Sequence, residues 1–278
     1  MASKGKDFEY VLVYEAWNFA GKTGTNFNDI KNKYDSADQI VKNTNPLEFL
    51  FDELSVQRYA DKLSMADSFQ LLGGRNPEPK TDVMFVYSGK TYKLSMKWGD
   101  SFQASSAGVE GTNMFLEKVI HKVASEQDGN VTAMGEVIAV MDQLDGFLGE
   151  SKIASADLIQ SKLSAIREED GLQSRLQEVL GSSREPNVSE SFYSFKKAVM
   201  VECITGELTF SNQPNNIANY VFTGKPSGLT LSEITDSYIQ EVMSKSSVRI
   251  SAKGRGTRGS GGEEIRYQEA VIRFDLKD

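Results

Sequence analysis

The sequence predicts an α+β protein, and three observations carry that prediction. Apolar residues recur at helical spacing over residues 6–20, and Gly21 follows as a stop. Two strand-like runs, Val83–Ser88 and Thr91–Trp98, flank Gly89-Lys90 and indicate a β-hairpin. The last third is rich in strand-like runs, at 207–210, 218–222, 248–252 and 267–276, with a helix expected at 231–244.

The remaining elements follow from local sequence. Residues 22–34 are polar and indicate a loop, while Asn45-Pro46 begins one of the helices expected between 35 and 72. The small polar residues of 99–111 indicate a second loop. Further helices are expected at 112–125, 131–148, 154–180 and 189–204. A boundary near residue 128 would give segments 1–128 and 129–278; the alternative is one intertwined domain whose late strands return to the hairpin.

Charge and composition limit the classes of function. The 278 residues include 31 basic and 39 acidic side chains, for a net charge of −8, so a contact with DNA must come from a local basic patch. No apolar run exceeds five residues, which excludes a membrane-spanning helix. The single cysteine, Cys203, cannot form an intrachain disulfide, and a reducing, cytoplasmic environment is therefore expected. The single histidine, His121, excludes triads and zinc sites that need several histidines.

The hairpin carries a candidate chemical site. With Gly89-Lys90 as the turn, opposed residues sum to 179; a turn one residue earlier makes the sum 177. Both registers place Asp82, Ser95 and Lys97 on one face, because opposed and alternate residues point the same way. Taken alone, Asp82 and Lys97 also fit an ordinary cross-strand ion pair. The other face is apolar and is expected to pack on a helix; it comprises Val83, Phe85, Tyr87, Tyr92, Leu94, Met96 and Trp98.

The segment Pro79-Lys80-Thr81-Asp82, the hairpin, and Lys93-Leu94-Ser95-Met96-Lys97 together resemble the PD-(D/E)xK nuclease superfamily. The opening Gly5-Lys6-Asp7-Phe8-Glu9 is similar to that family's first helix, and Phe102-Gln103 to a glutamine-bearing loop after the lysine. The resemblance covers residues 5–125. It implies a restriction-endonuclease-like core of helix, hairpin and mixed sheet, with a helical insertion and a C-terminal β-rich region.

The resemblance implies a metal-dependent DNA endonuclease of phage or restriction type. Mg²⁺ would be held by Asp82 and by a carboxylate of the first helix, either Glu9 or Glu15. These two glutamates lie about 240° apart around a helix, so both cannot be well placed. Lys97 would be the catalytic cation.

Two further residues complete the implied site. Gln103 would orient Lys97 or a backbone phosphate. Ser95 stands where the family usually has Glu or Asp, and it would contribute a hydrogen bond or a water-mediated metal contact. This departure keeps open the alternative of an inactive, nuclease-like DNA-binding or virion-assembly protein, and a homodimer is compatible with either function.

A local basic patch follows near the C-terminus. Residues 253–262 read KGRGTRGSGG, which predicts a flexible loop between two strands. Its cations Lys253, Arg255 and Arg258, with Arg266 beyond it, are candidates for contacts with DNA phosphates. A solvated hairpin tip is the alternative.

Overall fold

The computed structural model describes residues 4–73, 79–99, 101–125, 190–258 and 264–277, with short stretches at 135, 138–139, 142 and 152–153. The chain is mixed α+β, as the sequence predicts. It divides into two compact units, one of Met1–Phe102 with Ile204–Tyr238 and one of Gln103–Cys203 with Ile239–Asp278. Each unit therefore combines an early and a late segment, unlike the predicted segments 1–128 and 129–278. Within the described ranges, every helix is too short or too polar to cross a lipid bilayer.

The first unit is organised around its N-terminal helix, α1. Phe8, Val11 and Leu12 of this helix are completely buried. The helix ends at Phe19, just before the predicted stop Gly21, which has φ +70°, and the N–H of Lys22 donates to the carbonyl of Trp17 at 2.9 Å. The helices of this unit are α1 (Lys4–Phe19), α2 (Thr25–Ser36), α3 (Gln39–Lys42), α4 (Pro46–Glu53) and α5 (Tyr59–Asp67).

A five-stranded sheet packs against α1. Its strands are β1 (Gln70–Leu71), β2 (Val83–Tyr87), β3 (Lys90–Trp98), β6 (Tyr220–Lys225) and β7 (Gly228–Glu233), in that spatial order. All neighbours are antiparallel except β3 and β6, which are parallel. The late strands β6 and β7 thus complete the sheet that the early hairpin begins.

The predicted hairpin is confirmed, in the second of its two registers. Val83 pairs with Leu94 and Tyr87 with Lys90, so opposed residues sum to 177. The turn is Ser88-Gly89 rather than Gly89-Lys90, and both turn residues have positive φ, 49° and 77°. A two-residue turn with positive φ at both positions matches the right-handed twist of the two strands.

The apolar face of the hairpin forms the core, as predicted. Val83, Phe85 and Leu94 are completely buried. The Phe85 ring stacks between Phe69 and Tyr92, with centroid distances of 4.6 and 4.8 Å. These stacked aromatic rings fix the position of the sheet beneath the helices.

The second unit contains α6 (Val109–Ser125), most of α7 (Glu190–Thr205), most of α8 (Asp236–Lys245), and the strands β4 (Ser101–Gly108), β5 (Lys152–Ile153), β8 (Ser246–Arg258) and β9 (Glu264–Lys277). The strand β9 pairs with β4, β5 and β8. The pairing of β8 with β9 runs from Ser246–Leu276 to Arg258–Glu264 and forms a long antiparallel ribbon. Cys203 of α7 is buried and His121 of α6 is 79% exposed in its side chain, which agrees with a structural cysteine and a surface histidine.

Two predicted loops are wrong. Residues 25–34 of the first belong to helix α2, because Phe27 and Tyr34, one face of that helix, stack on Tyr14 of α1 at 5.7 and 4.0 Å between ring centroids. Residues 101–108 of the second are strand β4, in which small polar residues are accommodated by pairing with β9. In both segments, contacts with distant residues override weak local preferences.

Two late segments also differ from prediction. Residues 207–210 form a turn instead of a strand: Gly206 has φ +70° and its carbonyl accepts from the N–H of Phe210 at 2.8 Å. The predicted helix 231–244 begins only at Asp236, since residues 228–233 pair with β6 as strand β7. The predicted helices at 131–148 and 154–180 lie almost wholly outside the described residues.

Candidate active site

Asp82 is fixed at the entrance to β2 by backbone contacts on both sides. Its N–H donates to the carbonyl of Leu94 at 2.8 Å, and its own carbonyl accepts from the N–H groups of Leu72 and Gly73 at 2.8 and 3.0 Å. Its side-chain Oδ2 accepts from the N–H of Met96 at 2.7 Å. The carboxylate, only 8% exposed, therefore extends the ladder between β2 and β3 and leaves Oδ1 directed elsewhere.

Glu9 brings a second buried carboxylate to the same place. It lies on α1, three residues after Lys6, and is 4% exposed. The Lys6 ammonium lies 3.1 Å from Oε1 and 3.2 Å from Oε2 of Glu9. A buried glutamate held in this way is unusual outside functional sites and ion pairs.

The two carboxylates converge on Gly73, which follows β1. A Cβ built on this glycine would lie 2.9 Å from Oε2 of Glu9, 3.2 Å from Nζ of Lys6 and 3.5 Å from Oδ1 of Asp82. Gly73 has no positive φ, so its lack of a side chain matters for this close approach and not for a left-handed backbone conformation. We call this space, bounded by Glu9, Asp82, Lys6 and Gly73, the carboxylate cradle.

Electrostatics couple the cradle to Lys97. Burial, and then the charge of Asp82, raise the pKa of Glu9 well above its usual range, while Lys6 and Lys97 oppose that rise. Lys97 is therefore one of the two lysines whose charge favours the ionised form of Glu9. A bound divalent cation would favour the ionised form of Glu9, since metal ligation and protonation compete for the same oxygens.

Ser95 and Lys97 lie on β3 beside the cradle. Continuing the register of the hairpin one step beyond Val83 and Leu94 places Ser95 opposite Asp82. Ser95 is 2% exposed, whereas Lys97 is partly exposed and pairs across the parallel ladder with Thr223 of β6. The face that the sequence predicts, with Asp82, Ser95 and Lys97 together, is the face that the register produces.

The structure distinguishes Glu9 from Glu15, the two candidates for the first-helix carboxylate near Asp82. Glu9 lies in the cradle, whereas Glu15 accepts from the N–H of Leu47 at 3.0 Å. That N–H is in the first turn of α4, next to Pro46 at the helix start, so Glu15 caps α4 and interacts favourably with its dipole. Glu15 is consequently removed from the candidate metal ligands.

Sequence reasoning missed Lys6 and Gly73. Lys6 has a recognisable signal, since a lysine three residues before a glutamate on a helix is placed to pair with it. Gly73 has none, because a glycine after a helical segment is normally explained as a stop. Gln103 lies on β4 and in the second unit, and its side chain is outside the described part of the structure.

The predicted basic loop is largely strand. Lys253, Arg255 and Arg258 lie within β8 and Arg266 within β9, while residues 259–262 of the predicted loop are outside the described residues. The register gives 253–258 regular partners, so glycines at 254 and 256 are tolerated inside a paired ribbon.

The register also divides the basic residues between two faces. Lys253 pairs with Glu269 and Arg255 with Tyr267, and both belong to the same face as the opposed pair Arg249 and Arg273. Arg258 and Arg266 belong to the opposite face. That second face is apolar nearer the base of the ribbon, where it carries Val248, Ile250, Ala252, Ala270, Ile272 and Phe274.

The donor set of the cradle fits a hard divalent cation. The described residues contain no cluster of three or more His, Cys, Asp and Glu side chains. Mg²⁺, however, usually keeps several waters and needs only one or two carboxylates, and two carboxylate oxygens lie within 3.5 Å of the point that a Cβ of Gly73 would fill. No family model, curated protein or solved structure matches the chain.

Proposed function

We propose that the protein is a metal-dependent endonuclease that hydrolyses phosphodiester bonds of DNA. The observation that carries the proposal is the convergence of Glu9 and Asp82 on the space beside Gly73, with Lys97 on the same face of the hairpin as Asp82. Two buried acids and two cations gathered in one place have little value for stability, and such clusters concentrate at functional sites.

The residues in and beside the cradle have different roles in the proposed reaction. Glu9 and Asp82 would hold Mg²⁺, which when bound neutralises phosphate charge and lowers the pKa of a coordinated water. Lys97 supplies a fixed positive charge for the additional negative charge that develops on the phosphate during attack. Ser95, buried beside them, offers a hydroxyl but no charge, so the carboxylate of Glu9 takes the place of the acid that Ser95 replaces.

The surrounding architecture supports a restriction-endonuclease-like core. A helix that carries an acid, α1, packs on a sheet whose antiparallel hairpin carries Asp82 and Lys97. A later strand, β6, then joins this hairpin in parallel. This arrangement supplies the helix, hairpin and mixed sheet that the resemblance implies.

The ribbon of β8 and β9 supplies the contact with DNA in this proposal. A two-stranded ribbon has the width to enter the major groove of B-DNA. We assign the phosphate contacts to the face that carries Arg249, Lys253, Arg255 and Arg273, which concentrates positive charge in a chain of net charge −8. Cys203, buried and without a second cysteine, agrees with a protein of the reducing cytoplasm.

The decisive experiment is cleavage of supercoiled plasmid with Mg²⁺ or Mn²⁺. We expect Glu9→Gln, Asp82→Asn and Lys97→Ala each to reduce the rate by about two orders of magnitude. Glu15→Gln is the matched control, since it alters a carboxylate of the same helix that lies outside the cradle. Cleavage that survives all three of these substitutions would refute the assignment of the site.

Matched double variants test the ribbon. Lys253→Gln with Arg255→Gln, and Arg258→Gln with Arg266→Gln, each remove two positive charges but from opposite faces. We expect the first pair to weaken DNA binding and to reduce the slope of log affinity against log salt concentration by about two, and the second pair to change it little. Equal losses in both variants would show that only net charge matters.

A second candidate function is DNA binding without cleavage, including a role in assembly of a virus particle. The observation that favours it is Ser95, a buried hydroxyl where nucleases of the resembled family carry an acid. Salt-sensitive binding that depends on the ribbon, with no cleavage in either metal, would support this candidate over the nuclease.

A further inference from the structure

Lys6 already supplies a positive charge to the carboxylate cradle. Its ammonium lies 3.1 and 3.2 Å from the two oxygens of Glu9, and 3.2 Å from the point that a Cβ of Gly73 would fill. The Oδ1 atom of Asp82 lies 3.5 Å from that same point. The ammonium therefore occupies the neighbourhood that a divalent cation would need.

We propose that Lys6 is an internal counter-ion that competes with a divalent cation for Glu9. Mg²⁺ approaches carboxylate oxygens to about 2.0–2.1 Å and cannot share both oxygens of Glu9 with an ammonium at hydrogen-bond distance. Two positive charges in a buried space also repel each other strongly. Binding of the cation would break at least one of the two contacts between Lys6 and Glu9, and the loss of that contact lowers the apparent affinity for the metal.

The positions of the two side chains on α1 fit this exchange. Lys6 is in the first turn of the helix and its side chain is 31% exposed, whereas that of Glu9 is 6% exposed. The long, flexible lysine stem can carry the ammonium into solvent while Glu9 stays in place. Without metal, the positive charge of Lys6 offsets the repulsion between Glu9 and Asp82. With metal bound, the cation would offset that repulsion instead.

The inference rests on the metal site of the proposed function but not on cleavage, and its test uses binding of Mg²⁺ in the absence of DNA. The unfolding temperature of the whole chain, measured against Mg²⁺ concentration at mildly alkaline pH, yields the dissociation constant. We expect Lys6→Met to bind Mg²⁺ roughly tenfold more tightly than the wild type, since the ion pair no longer has to be broken. Lys4→Met is the matched control, because Lys4 pairs with Asp38, 3.3 Å away, outside the cradle.

Several results would overturn the inference: equal or weaker Mg²⁺ binding by Lys6→Met, no Mg²⁺ binding by either protein, or the same gain in Lys4→Met. Lys6→Gln, which keeps a donor for Glu9 without its charge, serves if Lys6→Met does not fold. Failure of both variants to fold would show that Lys6 is a structural partner of Glu9, contrary to the proposal. Tighter binding of Mg²⁺ without any cleavage of DNA would support the counter-ion role and refute only the nuclease.

Discussion

Glu15 should make folding stability depend on pH in a way that a single substitution reveals. Burial is the main cause that raises the pKa of Glu15, from 4.5 to about 7, against the opposing hydrogen bond from Leu47. Between these two pH values the unfolded chain has lost the proton that the folded chain keeps, so stability falls as pH rises. A shift of this size corresponds to about 3 kcal/mol across the window, present below pH 4.5 and lost above pH 7.

The substitution Glu15→Gln replaces the titratable carboxyl group with an amide, whose oxygen can still accept from the N–H of Leu47. The free energy of unfolding of Glu15→Gln minus that of the wild type should therefore increase by about 3 kcal/mol from pH 4.5 to just above pH 7. Because Glu9 is present in both proteins, its own contribution cancels in the difference. Urea unfolding at a series of pH values supplies the measurement.

A suitable control is Glu117→Gln, since the side chain of Glu117 is 68% exposed and lacks the burial on which the prediction for Glu15 depends. A difference that stays constant with pH for Glu15→Gln would mean that the pKa of Glu15 is not raised in the folded chain. The reasoning from burial would then be wrong.

Two further predictions concern the cradle. Gly73→Ala should abolish Mg²⁺-dependent stabilisation, because a methyl group 2.9 Å from Oε2 of Glu9 must push that carboxylate aside. The control is Gly135→Ala, whose methyl group meets nothing within 4 Å and should leave the Mg²⁺-dependent stabilisation unchanged. Thermal unfolding with and without Mg²⁺ measures both effects. Asp82→Asn should also lose Mg²⁺ binding, yet remain as stable as the wild type in EDTA or more stable, because an amide oxygen can still accept from Met96 while the repulsion of Glu9 is relieved. A loss of several kcal/mol in EDTA would show that the charge of Asp82 is structural.

The part of the site that local pattern determines could be predicted from the sequence. Alternation along two strands joined by a tight turn places Asp82, Ser95 and Lys97 on one face in either register. The predicted face is therefore the same whether the turn is Gly89-Lys90 or Ser88-Gly89. The choice between Glu9 and Glu15 could not be made, because it depends on which side of α1 meets the sheet and which meets α4. That information lies in tertiary packing and not in helical spacing.

The misplaced elements have the same origin. Strand β4 consists of small polar residues whose conformation is decided by their partner β9. Helix α2 has a single buried residue, Ile30, and depends on aromatic contacts with Tyr14. Local sequence predicts an element well when the element contains its own signal, as the hairpin does, and poorly when a distant segment supplies the stabilising contacts.

Three acids of this unit, Glu9, Glu15 and Asp82, differ in what the fold requires of them, and that difference is the strongest reason to assign a function to the cradle. Glu15 caps α4 through Leu47, and Asp82 completes a strand ladder through Met96; both tasks need only an oxygen that accepts a hydrogen bond. Glu9 is paired instead with an ammonium on its own helix and lies beside a second acid; burial, and then the charge of that acid, raise the pKa of Glu9. An apolar side chain at position 9 would serve the packing of α1 better, since a buried ion pair usually stabilises a protein no more than well-packed apolar side chains of similar volume do. Metal binding by the two carboxylates, as proposed above, would account for the cost of burying Glu9 next to Asp82.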